Sequence, residues 1–174
     1  MDIDVLGQTD NNVDSVVSTV KEVCSQEVEA DGLIFDPNRV EGERITEDAD
    51  YEGVRVRFRG ELGTARFVIQ LDAGFGDVII PAPLFMDFPT ILEFPAPHLR
   101  GYSKESTVAE KFEAMVKLDI LNSRMKDFFD IWLLSRQFDY DGETLANAIK
   151  KTFSIRKTEI QQGPLALTDA FFSD

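Results

Sequence analysis

Residues 105–136 have the sequence ESTVAEKFEAMVKLDILNSRMKDFFDIWLLSR, which predicts two helices joined at residues 119–123. Apolar side chains recur at three- and four-residue intervals in both segments, as in helices that face a protein core. They are Val108, Phe112, Met115 and Val116 in the first helix and Met125, Phe128, Phe129, Trp132 and Leu133 in the second. Asn122 or Ser123 is expected to cap the second helix, because a side-chain oxygen accepts its first N–H groups.

Charged side chains crowd beside the apolar stripe of the second helix. Arg124, Lys126, Asp127 and Asp130 fall within seven residues, and Lys111 borders the apolar stripe of the first helix. Asp127 and Asp130 are three residues apart and therefore share one side of the helix. Spacing alone favours a solvated face with local ion pairs, Arg124 with Asp127 and Lys126 with Asp130.

The segments AEKFEAMV and NSRMKDFFDIWLLS add a more specific signal. They place Lys111 on one helix and the pattern Arg-x-Lys-Asp-x-x-Asp, which begins at Arg124, on the next. This combination resembles the nucleotidyltransferase toxins of abortive-infection, type IV toxin–antitoxin systems, the AbiEii/AbiGii type. The resemblance continues through FDYDGETLANAIKKTFSIRKT and back through LDAGFGDVIIPAP to the first residues, so it covers nearly the whole chain.

The resemblance implies roles for these side chains. Lys111 is expected to pair with the charge of a nucleoside triphosphate, with support from Arg124 or Lys126. Asp127 and Asp130 are expected to position Lys111 or Lys126, or to serve catalysis directly. The implied activity is transfer of a nucleoside monophosphate from an NTP, with GTP expected, to an acceptor such as RNA or a tRNA end. Such a toxin would act in phage defence beside a cognate antitoxin.

Carboxylates near strand ends are candidate metal ligands. Residues 2–6, DIDVL, alternate as a strand with Asp2 and Asp4 on one face. Another predicted strand, ARFVIQLD, ends at Asp72, and Asp77 is the alternative to it. Converging carboxylates from neighbouring strands can hold Mg²⁺ for nucleotidyl transfer, and the nucleotidyltransferase fold has such a third acid. Taken alone, Asp-x-Asp is weak evidence, because two solvated acids near a terminus explain it as well.

The remaining pattern predicts an α+β fold: a nucleotidyltransferase-like mixed or antiparallel sheet in the N-terminal half, then a helical C-terminal half. Residues 10–27 predict a valine-faced helix, and 33–72 predict strands in which Val54, Val56 and Phe58 alternate with three arginines. Prolines punctuate residues 81–101, where one strand is expected at 91–94, and 142–153 predict a helix capped by Asp141. We expect a partial nucleotidyltransferase-like domain over 1–97 and a helical domain over 98–174, with Thr168 capping a last short turn.

Composition limits the classes of function. A net charge of −14 over 174 residues argues against a general nucleic-acid binder, although a locally basic cleft stays compatible with it. The single cysteine, Cys24, excludes an intrachain disulfide, and no apolar run is long enough to span a membrane. A reducing cytoplasm is the expected compartment.

One departure from the family pattern leaves a second function open. Relatives carry a Gly-Gly-Ser/Thr segment upstream of the Asp-x-Asp strand, and this chain starts at Met1, directly before Asp2. The resemblance therefore implies a form shortened at both ends. The alternative to an enzyme is a catalytically inactive scaffold that binds a partner such as the antitoxin. A third interpretation, an acidic nucleic-acid mimic, is based on charge alone, and the ordered arginines at 55, 57 and 59 weaken it.

Overall fold

The computed structural model describes residues 2–48 and 51–160. It confirms the α+β class, with the larger sheet in the N-terminal half and most of the helical residues in the C-terminal half. The chain divides into two compact units, Met1–Asp77 and Val78–Asp174. The domain boundary expected after residue 97 stays a prediction. The expected turn at Thr168 lies outside the described residues.

The first unit is a sheet with one helix against it. Its elements are β1 Asp2–Leu6, α1 Val13–Cys24, β2 Leu33–Phe35, β3 Glu41–Asp48, β4 Tyr51–Leu62 and β5 Ala65–Gly74. The strand order is β1-β5-β4-β2, and β3 pairs with the same edge of β4 as β2 does. β1 runs parallel to β5, whereas β4 is antiparallel to each of its neighbours.

The two faces of β4 differ as the alternation predicts. Val54 and Val56 are fully buried, and they share one core with Val16 and Val20 of α1. Asn12 caps α1, because its side-chain oxygen accepts the N–H of Asp14 at 2.8 Å. The opposite face of β4 carries the arginines and is the face on which the predicted metal ligands lie.

β5 is longer than the sequence indicates. The prediction that Asp72 ends the strand is wrong, because β5 continues to Gly74. The cause is the parallel partner strand, which pairs Asp4 with Asp72 and Leu6 with Gly74. Backbone hydrogen bonds to β1 therefore hold the last two residues of β5 extended.

The second unit begins with an antiparallel strand pair and continues as helices. Its elements are β6 Leu84–Asp87, β7 His98–Gly101, α2 Lys104–Leu118, α3 Met125–Gln137 and α4 Gly142–Ile155. The strand expected at 91–94 is wrong, since those residues lie in the loop between β6 and β7. Asp141 caps α4 as predicted, with its carboxylate accepting the N–H of Thr144 at 2.8 Å. Phe112 of α2 contacts Phe153 of α4, with ring centroids 5.5 Å apart.

The start of α3 differs from the prediction in two ways. Neither Asn122 nor Ser123 is its N-cap; Arg124 occupies that position, and the Asn122 oxygen accepts the Arg124 N–H at 2.8 Å. The apolar stripe of α3 is also not its buried side. Met125, Phe129 and Trp132 are about half exposed, whereas Asp127 is 3% exposed. Among the described residues, no helix is both long enough and apolar enough to cross a membrane.

Candidate functional site

A lysine held by two aspartates joins α2 to α3. The Lys111 Nζ lies 2.8 Å from the Asp127 Oδ1 and 2.8 Å from the Asp130 Oδ2. Arg124 lies beside the same group, with its Nε 3.0 Å from the Asp127 Oδ2. The structure therefore brings together four of the five predicted residues of this region. Lys126 is exposed and forms no ion pair with any described residue, so the expected pair of Lys126 with Asp130 is wrong.

The local sequence explains this arrangement. Asp127 and Asp130 lie one helical turn apart, so both carboxylates reach the same point beside α3. Lys111 lies in the middle of α2, where its side chain crosses to that point. A carboxylate as buried as Asp127 needs charged partners: Lys111 donates a hydrogen bond to its Oδ1, and Arg124 forms an ion pair with its Oδ2.

Lys111 stays charged in this setting. Burial by itself would lower the pKa of Lys111, but the hydrogen bonds and charges of Asp127 and Asp130 outweigh it and raise the pKa above 10.5. At neutral pH the side chain is therefore a fixed cation and not a general base. An ammonium has three N–H donors, and the two carboxylates use two of them.

An open cleft lies beside the cluster. It has a volume of about 240 Å³ and is lined by Thr107, Lys111, Asp130, Leu133 and Leu134. Most of its surface is apolar, and Lys111 and Asp130 are the charged residues of its lining. Such a surface can contact an anionic group at Lys111 and an apolar or aromatic group at the leucines.

The predicted metal ligands lie in the first unit. Asp4 of β1 is the register partner of Asp72 on β5, and Asp2 is the partner of Gln70, so all four side chains belong to one face of the sheet. Asp2 and Asp4 are exposed. Asp77 comes three residues after the end of β5.

Arg55 holds the third acid. Its Nε donates to the Asp72 Oδ1 at 2.8 Å and its Nη2 to the Asp72 Oδ2 at 2.7 Å, and the Gln70 amide adds a bond of 3.2 Å. The hydrogen bond from Arg55 is the main cause that lowers the pKa of Asp72 below its usual value of 3.8. Alternation in the sequence places Arg55 on the basic face of its strand but does not predict this pairing. The signal for it is that both residues alternate to the same face of neighbouring strands.

The donor chemistry of this corner suits Mg²⁺ in part. Mg²⁺ takes oxygen ligands and commonly uses one or two carboxylates with water and substrate phosphates, which Asp4 and Asp72 can supply. The full set of three acids is not assembled. Within residues 2–48 and 51–160, no three Asp, Glu, His or Cys side chains are grouped closely enough to hold a metal ion. Both oxygens of Asp72 accept hydrogen bonds from Arg55.

A further buried acid, Glu113 of α2, was also missed. It accepts hydrogen bonds from Arg156, at 3.1 Å, and from Thr158, both just after the end of α4. Its position two residues after Lys111 gives no local signal of burial, because its partners come more than forty residues later. These contacts fix α2, and with it the backbone that carries Lys111, against α4.

The described residues thus form a sheet with acidic residues on adjacent strands, followed along the chain by helices that carry a Lys–Asp–Asp cluster. A family model described as "Nucleotidyl transferase AbiEii toxin, Type IV TA system" matches residues 1–174, the whole chain. The chain therefore belongs to the AbiEii nucleotidyl transferase toxin family, and the resemblance found from its motifs is confirmed. Curated proteins and solved structures give no significant match.

Proposed function

We propose that this protein transfers a nucleoside monophosphate from an NTP, with GTP as the first candidate, to an RNA acceptor such as a tRNA end. Membership of the AbiEii family supports nucleotidyl transfer, and the geometry around Lys111 is the observation that carries the proposal for this chain. A fixed ammonium beside a cleft is suited to a triphosphate, whose charge it neutralises without losing its own proton.

Asp127 and Asp130 act as positioning residues in this proposal. Their carboxylates hold Lys111 in one orientation and keep its charge, so that its remaining donor meets a phosphate oxygen. Arg124, which Asp127 also holds, lies close enough to support the same phosphates. Lys126 is exposed next to them and adds positive charge to the approach.

Asp2, Asp4 and Asp72 would hold Mg²⁺. The ion, when bound, supplies Lewis-acid stabilisation at the phosphate that reacts and lowers the pKa of the attacking hydroxyl. For the chain itself, the step that favours the ion is that Asp72 exchanges its partner, because Arg55 donates to both of its oxygens and competes with a cation there. Asp2 and Asp4 are exposed, so an ion can reach them from solvent.

The test is calorimetric titration of the 174-residue chain with GTP and then the other NTPs, with and without Mg²⁺. We expect saturable, Mg²⁺-dependent binding that Lys111→Met weakens by about tenfold or more, as for loss of a charged hydrogen bond. Lys150→Met is the matched control, since it removes an exposed lysine of α4 with no role here. Transfer of label from α-labelled GTP to tRNA would identify the acceptor. If the folded chain binds no NTP, the proposal is wrong.

A second candidate function is a partner-binding scaffold, with the cognate antitoxin as the partner. The observation that favours it is the incomplete acidic cluster, in which Arg55 engages Asp72. Co-purification of the chain with the antitoxin, together with NTP titrations that show no heat, would support this candidate over the enzyme. NTP binding that depends on Asp4 would show that partner binding is not the sole function of this protein.

A further inference from the structure

The ion pair of Arg55 and Asp72 is the best-defined polar contact on the open face of the sheet. Two parallel N–H···O bonds join the guanidinium to the carboxylate, the geometry that makes such pairs strong. The two side chains are 26% and 19% exposed, so water screens the pair only in part. The pair is also fixed by the backbone, because Arg55 and Asp72 are register partners on β4 and β5.

Asp72 lies between a basic residue on one neighbouring strand and an acidic residue on the other. On one side β4 presents Arg55, and on the other side β1 presents Asp4, the register partner of Asp72 in the parallel pairing. A divalent cation shared by Asp4 and Asp72 needs at least one oxygen of Asp72, and each of these oxygens accepts a hydrogen bond from Arg55. The positive charge of Arg55 also repels a cation at that position. Cation and guanidinium therefore compete for the carboxylate.

A displaced guanidinium has a clear alternative partner in a nucleotidyltransferase. Arg55 would remain beside the cation, where the phosphates of the nucleotide must lie for transfer. Guanidinium groups bind phosphate oxygens in the same bidentate manner as they bind carboxylates. Exchange of Asp72 for phosphate would then keep Arg55 paired while Asp72 becomes a metal ligand.

We propose that Arg55 is a positioning residue that holds Asp72 in the metal-free chain and moves to the nucleotide phosphates when a divalent cation takes Asp72. This inference rests on the proposed function, since it assumes a cation at Asp4 and Asp72 and a nucleotide beside it. It makes metal and nucleotide binding mutually supportive. The nucleotide removes the guanidinium from Asp72, and the cation frees the guanidinium for the nucleotide.

The test measures the affinities for a divalent cation and for GTP, which loss of Arg55 should change in opposite directions. Mn²⁺ serves as the probe for the cation, and its binding to the nucleotide-free 174-residue chain is followed by electron paramagnetic resonance. Arg55→Met is expected to tighten Mn²⁺ binding by about tenfold, because a competing positive charge is gone. The same variant is expected to bind GTP, at saturating Mg²⁺, about tenfold more weakly than the wild type. A residue with only a structural role would not tighten metal binding.

Arg57→Met is the matched control. Arg57 lies two residues along the same strand and on the same face, but its ion pair is with Glu43 at 2.7 Å. The Arg57→Met substitution removes the same charge from the sheet, but it leaves the bond between Arg55 and Asp72 in place. We therefore expect Mn²⁺ affinity to change by less than about threefold. Arg55→Lys, which keeps the charge and loses the bidentate geometry, is expected to fall between Arg55→Met and the wild type.

Asp4→Asn separates failure of this inference from failure of the proposed metal site. If the wild type binds Mn²⁺ and Asp4→Asn does not, the metal site stands. Unchanged or weaker Mn²⁺ binding in Arg55→Met then overturns the inference alone, and so does unchanged GTP affinity in that variant. If neither wild type nor Arg55→Met binds Mn²⁺, the metal site fails and the inference with it. Circular dichroism of each variant confirms that it is folded.

Discussion

At the scale of single residues, Lys111 shows how a charge is kept inside a protein. Two carboxylates at 2.8 Å compensate for the water that burial removes, so the lysine is a cation over the whole physiological range. The local sum of charge with Arg124 is zero, two cations against two anions. In the proposed function, a triphosphate would therefore meet a preorganised donor and not a strong excess of positive charge.

The raised pKa of Lys111 has a consequence for stability at alkaline pH. A group whose folded-state pKa is higher than its unfolded-state value stabilises the fold fully below the unfolded value of 10.5, and this contribution is lost as pH rises through the folded value. We predict that the free energy of unfolding of the wild type falls more steeply than that of Lys111→Met between about pH 9 and pH 12. Urea unfolding at each pH measures it.

The other lysines and tyrosines titrate in the same range, so the comparison between chains is the informative quantity. Lys150→Met removes an exposed lysine, so its free energy of unfolding should fall with rising pH as steeply as that of the wild type. A Lys111→Met chain that loses stability as steeply as the wild type would show that the Asp127 and Asp130 pairs do not stabilise the folded state.

At the scale of elements, α3 is unusual because its aromatic side chains are more exposed than its first-turn aspartate. Trp132 is 51% exposed and lies beside Arg136, whereas Asp127 is 3% exposed. By contrast, α4 buries its apolar side against α2, and Phe153 is 1% exposed. The two helices should therefore respond very differently to loss of an aromatic ring.

We predict that Phe153→Ala destabilises the protein by about 3–5 kcal/mol, the usual cost of a large cavity in a core. Trp132→Ala should cost less than about 1 kcal/mol, because half of the ring is already in water. Urea unfolding followed by circular dichroism measures both. Trp132 is the single tryptophan, so its fluorescence in the wild type should be readily quenched by acrylamide. A large cost for Trp132→Ala would mean that something covers this face in solution.

The same helices show how far the sequence predicts the structure. Periodicity located α2, α3 and α4 because each helix repeats apolar residues every three or four positions. It could not identify the buried side of α3, since spacing tells which residues share a face and not what packs against that face. Asp127 is buried because Lys111, sixteen positions earlier, reaches it from another helix. Helix propensity and local spacing cannot predict a contact between two helices.

The sheet gives the corresponding result for the candidate metal site. Alternation predicted correctly that Arg55 lies on the open face of its strand, and that Asp2 and Asp4 share a face. The register that sets Asp72 between Arg55 and Asp4 depends on strand order, which alternation does not determine. The family resemblance supplied Asp72 as a ligand, but only the three-dimensional pairing shows that an arginine already engages it.

At the scale of the whole molecule, charge opposes the proposed acceptor. The net charge of −14 repels a polyanion at long range, whereas the arginines of β4 and the Lys111 cluster are each a local, short-range attraction. Salt weakens long-range repulsion most, because screening acts over about 8–10 Å at physiological ionic strength. Contacts inside the site are affected less.

We therefore predict that association of this protein with tRNA is nearly independent of salt, or becomes faster, as salt rises from about 50 to about 200 mM at constant free Mg²⁺. A basic RNA binder loses roughly a thousandfold or more in affinity over this range, because it releases many counterions. Here few phosphates are contacted, and screening of the protein's own negative charge offsets their loss. Stopped-flow fluorescence with labelled tRNA and GTP present gives both the association rate and the affinity. A steep decrease in affinity, with a slope typical of six or more phosphate contacts, would reveal an extended basic surface and contradict a local site.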